Sequence, residues 1–178
     1  KKRAELLGAA PVPAAAPATG KLYRHVTGLT FRHPDNWTVA EQENLILLTP
    51  PNPAMADGGP AEAYAVVGES VAGENITSAA DPAVGQYLDA QILGLNPAFQ
   101  RVGQPADAPM LQGKGALYEW QAAGPAGQAL RARAYAAIVK DMGVALVAIG
   151  LKDKLDARDA EVRKIFASFG AEAAVAGA

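Results

Sequence analysis

Residues 113–151 read GKGALYEWQAAGPAGQALRARAYAAIVKDMGVALVAIGL. Gly124-Pro125-Ala126-Gly127 and Asp141-Met142-Gly143 cut this run into three long segments: Gly113 to Ala123, Ala129 to Lys140 and Val144 to Leu151. Both connections are short and contain glycine, as antiparallel hairpins require, so the run predicts a three-stranded meander. Tyr118 and Trp120 flank Glu119 and share one side of the first strand, where paired aromatics usually serve a core. Arg131, Arg133 and Tyr135 share one side of the second strand. They are the one cluster suited to an anion or an acidic partner, unless the arginines pair across the sheet with Glu119 or Gln121.

Downstream, Asp156 reads as the cap of a helix running to Phe169. Val162, Ile165, Phe166 and Phe169 form its apolar face, and Arg158, Glu161 and Lys164 turn outward. The alanine-rich end from Gly170 reads as frayed, with 171–178 as a flexible tail. Upstream, 105–112 reads as a Pro-punctuated loop after a strand from Phe99 to Gln104. Asp81-Pro82 starts a helix, Asp as cap and Pro where a missing N–H costs nothing. Val84, Tyr87, Leu88, Ile92, Leu93 and Leu95 recur at helical spacing until Asn96-Pro97 ends it.

Before that helix, Tyr64 to Ser70 and Leu45 to Thr49 read as strands separated by a loop, Pro50 to Pro60. Leu29 and Phe31 alternate with Thr30 and Arg32, then His33-Pro34-Asp35-Asn36 supplies a turn before Trp37-Thr38-Val39, which predicts a hairpin. The globular region thus spans 21–170 as an α/β domain of the α+β kind, a twisted antiparallel sheet of about six to seven strands packed with two main helices. Gly8 to Gly20 is almost wholly Ala, Pro and Gly, so 1–20 reads as an extended arm stiffened by Pro11, Pro13 and Pro17. Such an arm is either a linker or a segment that orders on a partner surface. Lys1, Lys2 and Arg3 read as a solvated start or a lipid-facing stretch.

With 178 residues, half of them apolar, the chain can bury the core of one domain. Sixteen basic against eighteen acidic residues give a formal charge of -2, which offers no reason to expect a nucleic-acid partner. There is no cysteine, which excludes thiol catalysis and thiolate metal sites. The longest apolar run, about Val144 to Leu151, is far short of the roughly 20 residues a membrane-crossing helix needs. Because the sequence begins at Lys1, a removed signal, an anchor or a further domain upstream is an expectation.

Catalytic constellations are scarce. His25 and His33 are the only histidines and do not lie one helical turn apart around a Glu. None of Ser70, Ser78 and Ser168 sits in a nucleophile elbow. Gly113-Lys114-Gly115 enters a strand rather than a helix, unlike a phosphate loop. Glu41, Glu43, Glu62, Glu69, Glu74 and Glu119 are scattered, and nothing singles out two of them as an acid–base pair. The sequence therefore carries no catalytic, cofactor-binding or metal-ligating set.

The segment Gly28-Leu29-Thr30-Phe31-Arg32-His33-Pro34-Asp35-Asn36-Trp37 is similar to the aromatic-x-x-Pro-x-x-Trp entry of the PsbP-like superfamily. The element order and the Leu155 to Phe169 ending extend the likeness over about residues 21 to 170. That superfamily also includes the Ran-binding Mog proteins, small bacterial lipoproteins and accessory domains of certain zinc peptidases. The matching positions shape a turn, so no functional residue is carried over. What the resemblance implies is a non-enzymatic accessory module, extracytoplasmic or periplasmic and membrane-peripheral, with a cytoplasmic address left open. Its protein partners would belong to a larger, membrane-bound assembly, a photosynthetic reaction-centre complex among them. A different expectation is a small-ligand or lipid-binding domain with a pocket between sheet and helix, its mouth lined by Pro50 to Met55 and Ala106 to Leu111. A third is an appendage of an upstream peptidase.

Overall fold

The computed structural model describes residues 20–56 and 59–171. In chain order these form β1 (Lys21–Arg24), β2 (Leu29–His33), β3 (Thr38–Gln42), β4 (Leu45–Thr49), β5 (Met55–Ala56), β6 (Gly59–Pro60), β7 (Glu62–Ser70), α1 (Pro82–Leu95), β8 (Gln100–Arg101), β9 (Ala106–Pro109), β10 (Lys114–Ala123), β11 (Ala129–Val139), β12 (Met142–Leu151), α2 (Lys152–Ala167) and β13 (Gly170–Ala171).

The predicted meander is the centre of the molecule. β10 pairs with β11 from Ala116↔Ala136 to Ala123↔Ala129, and β11 with β12 from Leu130↔Leu151 to Val139↔Met142. Met142 and Gly143 pair inside β12, so the second loop shrinks to Lys140 and Asp141, with Lys140 in the left-handed region at φ 55. β7 continues the sheet beyond β12, then β4 and β3, while β9 and β8 take successive halves of the outer edge of β10. The result is an eight-stranded antiparallel sheet, and with its two helices an α+β fold. Within the large sheet, the region 99–112 departs from the expected pattern. The predicted strand is reduced to β8, and part of the predicted loop pairs as β9, whose Pro109 is tolerated because an edge strand need not donate on its outer side.

The predicted hairpin around His33 to Asn36 is not one. β2 belongs to a separate three-stranded sheet, β1-β2-β13, whereas β3 pairs with β4 in the large sheet. The turn is real, closed by the Trp37 N–H donating to the Pro34 carbonyl at 3.0 Å, but it passes the chain between sheets. Burial of Phe31 and Trp37 on either side of it favours that corner over continued pairing. The expected fraying from Gly170 is likewise replaced at its first two residues, which pair with Thr30 and Leu29.

Both faces of the large sheet are covered. On one, Leu155, Val162, Ile165 and Phe166 of α2 pack with Phe31, Trp37, Tyr64, Leu117, Tyr135 and Leu146. On the other, Leu88 and Ile92 of α1 lie with Ala132, Ala134, Ala136 and Ala145 and the larger Tyr118 and Trp120. Each fully buried Leu, Ile or Phe contributes about 1.5–3 kcal/mol, so these two layers dominate stability.

α1 starts as its sequence dictates: Asp81 accepts from the Ala83 N–H at 2.9 Å, and Pro82 opens the helix. α2 does not. It begins at Lys152 with Leu151 in the capping position and no side-chain cap, because β12 runs directly into it. Gly150 makes that junction, at φ 157 with its backbone so close to Ala61 that a Cβ would collide with the carbonyl. Asp156, predicted as the cap, lies one turn inside, where its carboxylate accepts from Lys152 at 2.8 Å and Arg133 at 2.5 Å.

Candidate functional site

The structure places Arg133 and Tyr135 under α2. Arg133 is 8% exposed; its Nε donates to Glu119 across the β10–β11 register at 2.9 Å and its Nη2 to Asp156. Burial alone would lower the Arg133 pKa, but Asp156 and Glu119 outweigh it and push it up. Tyr135 donates its hydroxyl to Asp159, which also accepts from Arg163 at 2.7 Å, and burial with Asp159 pushes the phenol up. Arg131 is half-buried and donates to the Leu130 carbonyl at 3.4 Å. Arg133 and Tyr135 are therefore committed to clamping helix to sheet. The other predicted contact residues, Lys1, Lys2, Arg3, Pro11, Pro13 and Pro17, lie outside the described residues.

A second clamp was not visible in the sequence. Glu62, 4% exposed, accepts from the Tyr64 hydroxyl at 2.7 Å, the Ala54 N–H at 2.7 Å and Arg158 at 3.0 Å. Arg158 also donates to the Pro51 carbonyl at 2.8 Å. Burial by itself raises the Glu62 pKa, yet the hydrogen bonds from Arg158, Ala54 and Tyr64 win and hold it below the ordinary value. Arg158, predicted to turn outward, instead ties α2 to β7 and to the 50–54 loop; Glu161 likewise turns in to accept from Trp37 Nε1 at 3.3 Å.

The predicted core aromatics carry their polar ends to partners. Trp120 donates to Asp89 at 2.9 Å and Tyr118 to the Ala79 carbonyl at 2.7 Å, and both rings are buried under α1. His33 is buried against the Pro34 carbonyl, and His25 lies 3.9 Å from Glu41. Among the described residues no three His, Asp or Glu side chains converge as metal ligands. No described helix is long and apolar enough to cross a membrane.

Among the described residues, two adjoining recesses lie beside α1. An apolar cleft of about 140 Å³ runs between the helix and the ends of β7, β11 and β12, walled by Val67, Val71, Ile76, Val84, Leu88 and Val144. Glu69, Glu74 and Tyr87 stand at its rim. A shallower groove of about 500 Å³ adjoins it, sharing Val67, Glu69, Tyr87 and Val144 and continuing past Gln91, Leu45, Glu43 and His25. Tyr87 is 36% exposed and borders both. Burial first, and then the Glu69 carboxylate, pushes its phenol up. The pocket thus sits between sheet and helix as one expectation had it, but the loops 50–55 and 106–111 line neither the cleft nor the groove. Its walls come from elements far apart in sequence, so only the residue types, and not their convergence, could have been read beforehand.

A solution structure of cyanobacterial PsbP (CyanoP) from Synechocystis sp. PCC 6803 matches at TM-score 0.55 and 11% identity, over 93% of this chain and 99% of that one. The chain has the PsbP-like fold. The Ran-binding protein Mog1p of Saccharomyces cerevisiae shares it at TM-score 0.50 and 11% identity, over 84% of this chain and 88% of that one. A protein from Bacteroides thetaiotaomicron matches at 0.52 and 13% identity over 86% of this chain; the matched region is 49% of that protein's length. No family model matches the sequence, and no curated protein matches it. The PsbP-like fold is therefore recognised from backbone geometry, at identities too low to carry residue roles across.

Proposed function

We propose that the chain is a non-enzymatic binding module, an accessory subunit that docks on a protein partner in a larger, membrane-associated assembly, and that its receptive surface is the cleft beside α1. The observation that carries this reading is the cleft itself, an apolar recess with a polar rim next to an exposed tyrosine. The titratable groups under α2, by contrast, are engaged with one another, which supports a structural role for them. Similarity in fold to PsbP and to a Ran-binding protein adds support for binding rather than chemistry. The reading extends to an extracytoplasmic, membrane-peripheral address.

Native-size analysis of membrane and soluble extracts, followed by hydrogen exchange on the recovered complex, tests it. Co-migration with a larger assembly and slowed exchange at Val67 to Val71 and Val84 to Leu88 are expected. A monomer in every extract, or slowed exchange confined to other surfaces, overturns it.

A further inference from the structure

We infer that the cleft beside α1 receives a single apolar side chain from a basic segment of a protein partner, one flanked by lysine or arginine. This rests on the cleft being the receptive surface and adds the chemistry of what enters it.

Size sets the first limit. A cavity of about 150 Å³ holds one benzene, so one ring or one branched aliphatic group is enough to fill a recess of about 140 Å³. Val67, Val71, Ile76, Val84, Leu88 and Val144 offer such a group only apolar contact. The rim sets the second limit. The titratable groups lining the cleft and the adjoining groove are Glu43, Glu69, Glu74, His25 and Tyr87; no lysine or arginine is among the described lining residues. Glu43, Glu69 and Glu74 are exposed and spread along the line from groove to cleft. They present a one-signed field to any chain lying there. An extended segment with its apolar side chain in the cleft therefore has its neighbours placed along carboxylates, and cationic neighbours are attracted while anionic ones are repelled. Tyr87, partly exposed, borders both compartments, so a lysine or guanidinium lying there comes next to an aromatic side chain.

The test measures binding of three synthetic hexapeptides to the full chain by fluorescence anisotropy, with amide exchange to map the site. One has a central phenylalanine flanked by two lysines and an arginine, the second keeps the phenylalanine but is flanked by glutamates, and the third keeps the basic flanks with alanine at the centre. The first is expected to bind at least about tenfold more tightly than either of the others, and to weaken about tenfold between 0.05 M and 0.5 M salt. Glu69→Lys with Glu74→Lys should abolish its preference over the glutamate peptide while this double variant keeps the wild-type melting profile. Val84→Phe, which fills the recess, should remove the advantage of phenylalanine over alanine.

Equal binding of the basic and glutamate peptides at the cleft overturns the inference and leaves the cleft standing as the receptive surface. No binding of any peptide there, with exchange in the native complex slowed elsewhere, overturns both. Lys1→Glu, Lys2→Glu and Arg3→Glu together supply a third arm. If these changes speed amide exchange at Val67 to Val71 and Val84 to Leu88 of the free chain by tenfold or more, the chain's own first residues are the occupant and the assignment to a partner fails. Unchanged exchange there supports the partner.

Discussion

Glu62 shows how a buried charge is held. Three donors converge on it, and Arg158 keeps the pair neutral, so removing the carboxylate strands a half-buried guanidinium together with the Ala54 N–H and the Tyr64 hydroxyl. Glu62→Ala should cost about 3 kcal/mol in urea denaturation, the size expected when one partner of a buried pair is removed. The pH dependence follows from the lowered pKa: stability from this group is present above its unfolded value, near 4.5, and is lost as pH falls through the lower folded value. Wild-type protein should lose stability in that acid window, and Glu62→Gln should show a shallower loss there. The predicted strand began at Tyr64 and left Glu62 outside it, and Arg158 lies 96 residues away, a partner no local spacing reveals. Neighbouring arginines on β11 should behave unequally for the same kind of reason. Arg133→Met leaves Glu119 without its partner and Asp156 with Lys152 alone, both with some access to water, and should cost about 2 kcal/mol. Arg131→Ala, which loses one weak bond to a carbonyl, should stay within about 0.5 kcal/mol.

The two helices answer to different constraints. α1 carries glycines at 85 and 94, and their surroundings decide what alanine would do. At Gly94 nothing lies within 4 Å of a new Cβ, so Gly94→Ala should stabilise by about 0.5–1 kcal/mol through helix propensity alone. At Gly85 the Cβ meets the end of the Arg101 side chain, which lies 5.4 Å over the Tyr118 ring and 3.5 Å from Asp89. The propensity gain is then offset by displacing that guanidinium, and the change should be near neutral. At Gly115 on β10 the Cβ would enter the Phe166 ring of α2, so Gly115→Ala should destabilise by about 1–3 kcal/mol. Thermal denaturation of the three variants checks the order. Elements with a local cause were legible: Asp81-Pro82 marked α1, and short glycine-containing loops marked the meander. Those with a remote cause were not. The turn chemistry of Pro34 to Asn36 is the same whether its flanking strands pair or part, and Asp156 looked like a cap only because the strand-to-helix junction at Gly150 is invisible without Ala61 beside it.

At the scale of the whole molecule, the long β7–β12 ladder joins two runs of strands within the large sheet, while the three-stranded sheet joins the two ends of the described chain. Phe169 carries that join, with its ring centroid 5.6 Å from Phe31 and 5.2 Å from Phe166. Phe169→Ala should cost about 3–5 kcal/mol, and amide exchange should show β1 and β2 losing protection more than β10 to β12. The cleft is also a property of this scale, existing only where β7, β11, β12 and α1 come together, which is why its residues were read one by one and never as a set. β1 and β13 both run antiparallel to β2, and so run parallel to each other on its two sides, with four residue pairs on one side and two on the other. Tension applied in opposite directions at Gly20 and Ala171 therefore acts largely along the strands, loading each ladder as a unit in shear instead of peeling it bond by bond. The shorter ladder, at β13, is the mechanical weak point, and its failure would transfer the load directly to the Phe169 ring seated between Phe31 and Phe166.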